Sequence, residues 1–194
     1  MTDHHSSKEQ WIQIERAGLL VRPEYAESAS STWFFPGTWN GAAVPVGSGG
    51  RGTAWFIQSK ESWVLRWYAR GGLVARLSRS SYLYTGLNAV RSVAEFRLIN
   101  TLFEQGLPVP KPVGAYYEPT GFLGYRAAIL TRRLMNARSL TDYLECDNPA
   151  LWAEVGRVIR RFHRFGVDHA TVQVEYGEAC IDEAPATGRE GHTA

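Results

Sequence analysis

Residues 87–106, LNAVRSVAEFRLINTLFEQG, set the tightest limit on what this chain can become. Apolar residues recur at helical steps through Val90, Val93, Ala94, Leu98, Leu102 and Phe103, the spacing of one face of an α-helix. Gly106 suits the left-handed residue that ends such a helix, and Pro108 and Pro110 forbid its continuation. One long helix with a definite stop must therefore fit between whatever precedes and follows it, and both neighbours read as strands.

In SWVLRWYARGG, residues 62–72, Val64, Arg66 and Tyr68 face one way and Trp63, Leu65 and Trp67 the other, which is strand alternation. A second strand precedes it within PVGSGGRGTAWFIQ, residues 45–58, behind a glycine cluster. After the helix, PVGAYYEPTGFLGYRAAILTRRL reads as strand, turn at Glu118-Pro119-Thr120-Gly121, and strand. SLTDYL opens a short helix. The next helix runs from Pro149, a good first residue behind Asn148, to Phe165, with Leu151, Val155, Val158, Ile159, Phe162 and Phe165 on one stripe and Gly166 as the stop. Strands, one helix, strands and then helices make an α+β plan, because the helices are not interleaved as in repeated βαβ units. Residues 1–44 form a leader with weak periodicity, in which WIQIERAGLLV suits a strand or a short helix. After about residue 182 the chain is small and polar, and cannot bury enough apolar surface to order itself.

A length of 194 residues with 44% hydrophobic and 12% aromatic content is ample for a packed core and excludes a disordered chain. The net charge of +2 is too mild to demand nucleic acid. Lysine is confined to Lys8, Lys60 and Lys111, so the basic charge is nearly all Arg, the side chain suited to bidentate contacts with phosphate or carboxylate. Cys146 and Cys180 suit reduced thiols better than a disulfide framework. The histidines are scattered and no His/Cys/Asp set has metal-ligand spacing, so no metal-site residues are assigned. The N-terminus lacks the apolar core of a signal peptide, and no window approaches the roughly 18 apolar residues of a spanning helix. A cytoplasmic protein is expected, with peripheral contact to anionic headgroups open to its Arg-rich segment.

Gly47, Gly49 and Gly52 fit G-x-G-x-x-G, with Ala54 following. A flexible hairpin turn would use the same residues. Their setting between strands, and not before a helix, matches the nucleotide lid of a protein-kinase-like fold and not a dinucleotide fingerprint. In such a lid the backbone approaches a polyphosphate and points N–H groups at it. A cation on the next strand then holds phosphates, and a Glu on the following helix orients the cation. Arg66 and Glu95 stand in that order. Taken singly, Arg66 is equally an exposed strand residue, and Glu95 an i,i+4 partner of Arg91 worth about 0.2–0.5 kcal/mol.

GGRGTAWFI, RGGLVARLSRSSYLYTG, AEFRLINTLFEQGLPVPKPVGAYY and FHRFGVDHA together resemble the 3-deoxy-D-manno-octulosonic acid (Kdo) kinases of Gram-negative bacteria, relatives of the lipopolysaccharide core kinases. The resemblance runs from about residue 45 to Ala170. It implies a protein-kinase-like fold: an N-lobe antiparallel sheet with one long helix at 45–134, then the first helices of a C-lobe at 135–170. It also implies ATP with Mg²⁺ as cofactors, and phosphorylation of the Kdo sugar of lipid A precursor at the cytoplasmic face of the inner membrane. Gly47, Gly49 and Gly52 would be the phosphate loop, Arg66 the phosphate cation in place of the usual lysine, and Glu95 its helix partner. Arg70, Arg76 and Arg79 form a basic neighbourhood that suits an acidic acceptor, or a solvated face.

The resemblance ends at His169-Ala170. The family continues with D-L-N-x-x-N and later D-F-D, supplying the base and the magnesium ligands; here Thr171-Val172-Gln173-Val174 follow. Asp168 precedes the histidine and Asp182 follows too soon, so no catalytic residue is assigned. The abrupt change points to a reading-frame shift or truncation, with 171–194 a divergent tail and turnover impaired. A catalytically inactive, pseudokinase-like module that holds nucleotide or lipid is the alternative. A basic RNA-binding surface is the third reading, but the alternation in VLRWYAR buries its aromatics, so no nucleic acid partner is expected.

Overall fold

The structure is a computed structural model that describes residues 8–46, 54–68, 82–83 as backbone, 86–120, 124–137, 143 and 148–167. The chain divides into two compact units between Arg133 and Leu134.

In the first unit the strands are β1 (Gln10–Ile14), β2 (Ala17–Val21), β3 (Ala43–Val46), β4 (Ala54–Ile57), β5 (Trp63–Trp67), β6 (Tyr82–Leu83), β7 (Pro112–Thr120) and β8 (Gly124–Arg132). They form one antiparallel sheet in the order β1-β2-β7-β8-β5-β4-β3, with β6 pairing the start of β8. Single-turn 3₁₀ helices occupy Pro23–Tyr25, Ser31–Phe34 and Pro36–Trp39 between β2 and β3. The helix α1 (Arg91–Glu104) crosses from β6 to β7 behind a 3₁₀ turn at Leu87–Ala89. WIQIERAGLLV, ambiguous as sequence, is the β1–β2 hairpin, so the N-terminal segment and the strands after residue 45 share one sheet.

Alternation sorts β5 as its sequence predicts. Trp63, Leu65 and Trp67 join Leu19, Val21, Phe34, Tyr116 and Leu130 on one face of the sheet. That face is covered by the aromatic 3₁₀ turns: Phe34 stacks on Tyr116 at 5.3 Å between ring centroids, and Trp33 lies 5.0 Å from Trp63. The opposite face carries Leu20, Tyr68, Ala115, Tyr117, Tyr125, Ala127 and Ile129 and is covered by α1 through Val90, Val93 and Phe96. The sheet is thus the middle of three layers, and each face is buried by a different segment.

Three sequence expectations need correction. The buried stripe of α1 is turned from the one expected: Ala94 is exposed and Leu98 is 48% exposed, while Phe96, Ser92 and Asn100 are buried. The reason is polar. Ser92 Oγ donates to the Tyr116 carbonyl at 2.9 Å, and the Asn100 amide donates to the Lys8 carbonyl at 3.2 Å while its oxygen accepts from Arg22. These bonds lock the face holding Ser92, Phe96 and Asn100 against the sheet, which leaves Leu98 pointing away. The turn expected at 118–121 is also displaced. Glu118, Pro119 and Thr120 continue β7, paired with Arg126, Tyr125 and Gly124, because the ladder to β8 gives their backbone groups partners up to Thr120. Finally, Phe165 is the residue after the last helical turn and is 51% exposed, outside the stripe of its helix.

The stops of α1 agree with its sequence: Gly106 adopts φ +71°, and the Leu107 amide donates to the Leu102 carbonyl at 3.0 Å. In the second unit α2 spans Pro149–Arg164. Asn148 caps it by accepting from the Leu151 amide at 3.2 Å, Pro149 takes the first position, and Gly166 closes it at φ +71°. Leu151 and Val155 are buried, with Tyr143 and Ile159 packed against them. Arg161, His163 and Arg164 in the last turn complement the negative end of the helix dipole. The short helix expected at SLTDYL, both cysteines and the segment 171–194 lie outside the described residues, apart from Tyr143.

Candidate functional site

β5 carries Arg66 on the α1 side of the sheet, between Ala54 of β4 and Ile129 of β8. Tyr68, two residues on, follows on the same side and is 6% exposed. α1 brings Glu95 over them from the opposite layer. The Arg66 guanidinium forms an ion pair with Glu95 Oε1, and the Tyr68 hydroxyl donates to Glu95 Oε2 at 2.5 Å. Both carboxylate oxygens are therefore engaged, one by a cation and one by a phenol. The Arg66 guanidinium also lies 5.2 Å from the Tyr68 ring centroid, and that of Arg91, in the first turn of α1, lies 5.4 Å from it.

Solvent reaches one end of this group. The Arg66 side chain is 48% exposed and that of Glu95 29%. With Nη2 held by Glu95, the guanidinium keeps further N–H donors for an anion on its open side. Burial pushes the Tyr68 phenol well above the ordinary tyrosine range, and the facing Glu95 carboxylate raises it further, so the hydroxyl stays a donor. Arg66 and Glu95, which the sequence offers as a pair, are thus brought together across 29 residues.

Gly47, Gly49 and Gly52 lie outside the described residues, as do Arg70, Arg76, Arg79, Asp168, Thr171 and Asp182. The strands on either side of the glycines are described. Val46, the last residue of β3, pairs with Ala54, the first of β4, and Ala54 pairs in turn with Arg66. The glycine-bearing connection therefore leaves and re-enters the sheet in register with Arg66. Tyr68 was missed by sequence reasoning, although its place two residues after Arg66 on one strand was a usable signal. Arg91 was read only as a helical neighbour of Glu95.

Other features of the first unit do not join this group. A cavity of about 520 Å³ lined by Arg16, Ser31, Phe35, Tyr116 and Glu118 opens on the opposite sheet face. There burial, reinforced by the adjacent Glu118, pushes the Tyr116 phenol up to about 12. Among the described residues no group of three or more His, Cys, Asp or Glu is placed to hold a metal ion, and no helix is long and apolar enough to cross a membrane.

The arrangement of a helix carboxylate, a strand cation and a glycine-bearing strand connection can be compared with known proteins. Residues 37–175 match the model of the lipopolysaccharide kinase (Kdo/WaaP) family. The chain belongs to the lipopolysaccharide kinase (Kdo/WaaP) family. It is 49% identical over 154 residues to a protein named 3-deoxy-D-manno-octulosonic acid kinase from Stenotrophomonas maltophilia (strain K279a), covering 78% of this chain and 61% of that one. The protein of the same name from Xanthomonas campestris pv. campestris (strain B100) is 47% identical over 154 residues, with the same coverage. The chain thus spans about three fifths of the length of the curated relatives it matches. No solved structure matches. For this Kdo/WaaP family member the α+β class expected from the sequence is the one observed. The family match takes in β3 to β8, α1 and α2, while the β1–β2 hairpin lies before it.

Proposed function

We propose that this chain carries the nucleotide-holding part of an ATP-dependent sugar kinase that phosphorylates the Kdo sugar of lipid A precursor. The observation that carries this reading is the Arg66–Glu95 ion pair, joining β5 to α1 beside the connection between β3 and β4. A guanidinium paired with a helix carboxylate keeps donors turned toward an anion, and whatever ordering precedes binding lowers the cost of binding. Arg66 would meet the nucleotide phosphates, Glu95 would orient Arg66, and the N–H groups around Gly47, Gly49 and Gly52 would cradle the polyphosphate. The sequence similarity to proteins named Kdo kinases supports the sugar acceptor.

The residues present fit a triphosphate better than they fit its magnesium. Arg66 is a half-exposed cation with donors to spare, whereas both oxygens of Glu95 beside it are already engaged, and among the described residues no group of three or more His, Cys, Asp or Glu is placed to hold a metal. Mg²⁺ bound with ATP would neutralise phosphate charge, and no residue described here is assigned to hold it. Thr171 stands where the family's base would be an Asp, and a hydroxyl cannot accept a proton at neutral pH as a carboxylate does. Loss of a general base costs roughly 10²–10⁴-fold in rate, so turnover by this chain is expected to be slow. We place the kinase-like lobe at 45–134, its sheet extended by the β1–β2 hairpin and the start of β3 that precede it, and the helical segment at 135–170. On this reading the acceptor is lipid-linked, and the working protein would sit against the cytoplasmic face of the inner membrane.

Titration calorimetry with MgATP on the full chain, and on Arg66→Met, tests the nucleotide reading. Losing one charged contact worth roughly 1.5–3 kcal/mol weakens binding about 10- to 100-fold. Failure of the wild-type chain to bind MgATP would overturn the reading. Phosphate transfer from labelled ATP to Kdo-bearing lipid A precursor then separates the two functions. Transfer above the uncatalysed rate supports a kinase, and tight binding with no transfer selects the pseudokinase-like module that the residues at 171–174 favour.

A further inference from the structure

We propose that Tyr68 is the positioning residue of the anion site, its hydroxyl setting the Glu95 carboxylate and its ring supporting the Arg66 guanidinium. The inference rests on the nucleotide reading above and adds to it the residue that gives the ion pair its direction. An Arg–Glu pair as exposed as this one is screened by solvent and does not by itself hold two long side chains in one geometry. Either partner could rotate away into water. Tyr68 removes that freedom at both ends. Its hydroxyl donates to Glu95 Oε2 at 2.5 Å, which leaves Oε1 as the oxygen presented to Arg66. Its ring lies 5.2 Å below the Arg66 guanidinium carbon, so the planar cation has a surface to rest on.

Tyr68 can do this because it is itself immobile. It is 6% exposed, packed among Val93, Phe96, Tyr125 and Ala127, and its backbone amide donates to the Ala127 carbonyl of β8 at 3.0 Å. The contact also reports on the helix. A shift of α1 away from the sheet would withdraw Glu95 from Tyr68 and Arg66 together, so phenol and guanidinium register the same helix position.

The test compares MgATP affinity of the full chain with that of Tyr68→Phe, Tyr68→Leu, Tyr25→Phe and Arg66→Met, at a temperature where circular dichroism shows all five folded. Tyr25→Phe is the control for a merely structural loss. It too removes a hydroxyl that donates to a carboxylate, that of Glu61 at 2.5 Å, but on the sheet face away from Arg66. The expected result is about tenfold weaker binding in Tyr68→Phe, which keeps the ring but loses one hydrogen bond to a charged group. Tyr68→Leu should be weaker still and Tyr25→Phe unchanged. Wild-type affinity in Tyr68→Phe alongside a loss in Arg66→Met overturns the role of Tyr68 and leaves the nucleotide reading standing. Equal losses in Tyr68→Phe and Tyr25→Phe overturn it as well, since a general loss of packing would explain both. Absence of binding in every chain, wild type included, overturns the nucleotide reading and the role of Tyr68 with it.

Discussion

At the scale of single residues, Glu24 shows how competing effects are decided. Burial, the largest single influence on its carboxyl, favours the neutral form, yet Lys111 at 2.9 Å and Arg22 at 2.8 Å together outweigh it and hold the pKa at about 2. A carboxyl depressed in the folded state contributes stability that is full above its unfolded value near 4.5 and is lost as pH falls toward about 2. The side chain is 39% exposed, so solvent screening keeps each pair to about 1 kcal/mol or less. Chemical denaturation of wild type and Glu24→Gln should therefore differ at neutral pH and converge between about pH 4.5 and 2. A gap that stays constant over that range would contradict the assignment. Gly18 is decided by space instead. A Cβ there would run into the rings of Trp11 and Tyr117, which themselves pack at 5.7 Å between centroids. Gly18→Val should cost about 1–3 kcal/mol through overpacking, read as a lower denaturation midpoint.

At the scale of elements, α1 is the part whose position matters most, because it carries Glu95. Its N-terminal end is tied by the Arg91 amide donating to the Tyr125 hydroxyl at 3.1 Å and by Ser92 on the Tyr116 carbonyl. Its C-terminal half is tied by Arg22, at the end of β2, which donates to Asn100 at 2.5 Å and Glu104 at 2.8 Å and lies over the Phe103 ring. Arg97 adds a bond to Glu9 at 3.0 Å. The β1–β2 hairpin thus acts as a clamp on the helix, although it lies before the family match. Arg22→Met should destabilise the first unit by about 1–3 kcal/mol. It should also speed amide exchange in residues 100–104 more than in β8; uniform acceleration across the sheet would mean that the clamp is not local.

At the scale of the whole molecule, α2 and the sheet unit differ in how fully they bury their apolar surface. Leu151 and Val155 are buried, but Val158, Ile159 and Phe162 are only half-buried, and Trp152 and Phe165 are 37% and 51% exposed. Such a surface should bind an apolar fluorescent dye at neutral pH, and Phe165→Glu should lower the signal without shifting the melting of the sheet unit. Dye fluorescence no higher than that of a well-packed protein control would refute this.

Local chemistry made much of this legible beforehand. The stops at Gly106 and Gly166, the cap at Asn148-Pro149 and the alternation through Trp63 to Tyr68 depend on backbone conformation and on which neighbours share a face, and those are properties of short stretches. So was the order of elements, and with it the α+β class. Tertiary structure alone decided which face of α1 is buried, because the bonds of Ser92 and Asn100 reach Tyr116 and Lys8, far away in the chain. It alone made a hairpin of the ambiguous N-terminal segment, since pairing with β7 gives β2 its partner. It also added Tyr68 to the pair that sequence order suggested. Hydrogen bonds and packing between distant residues have no period along the chain, and they settle the exact place of a carboxylate only once strand and helix have met.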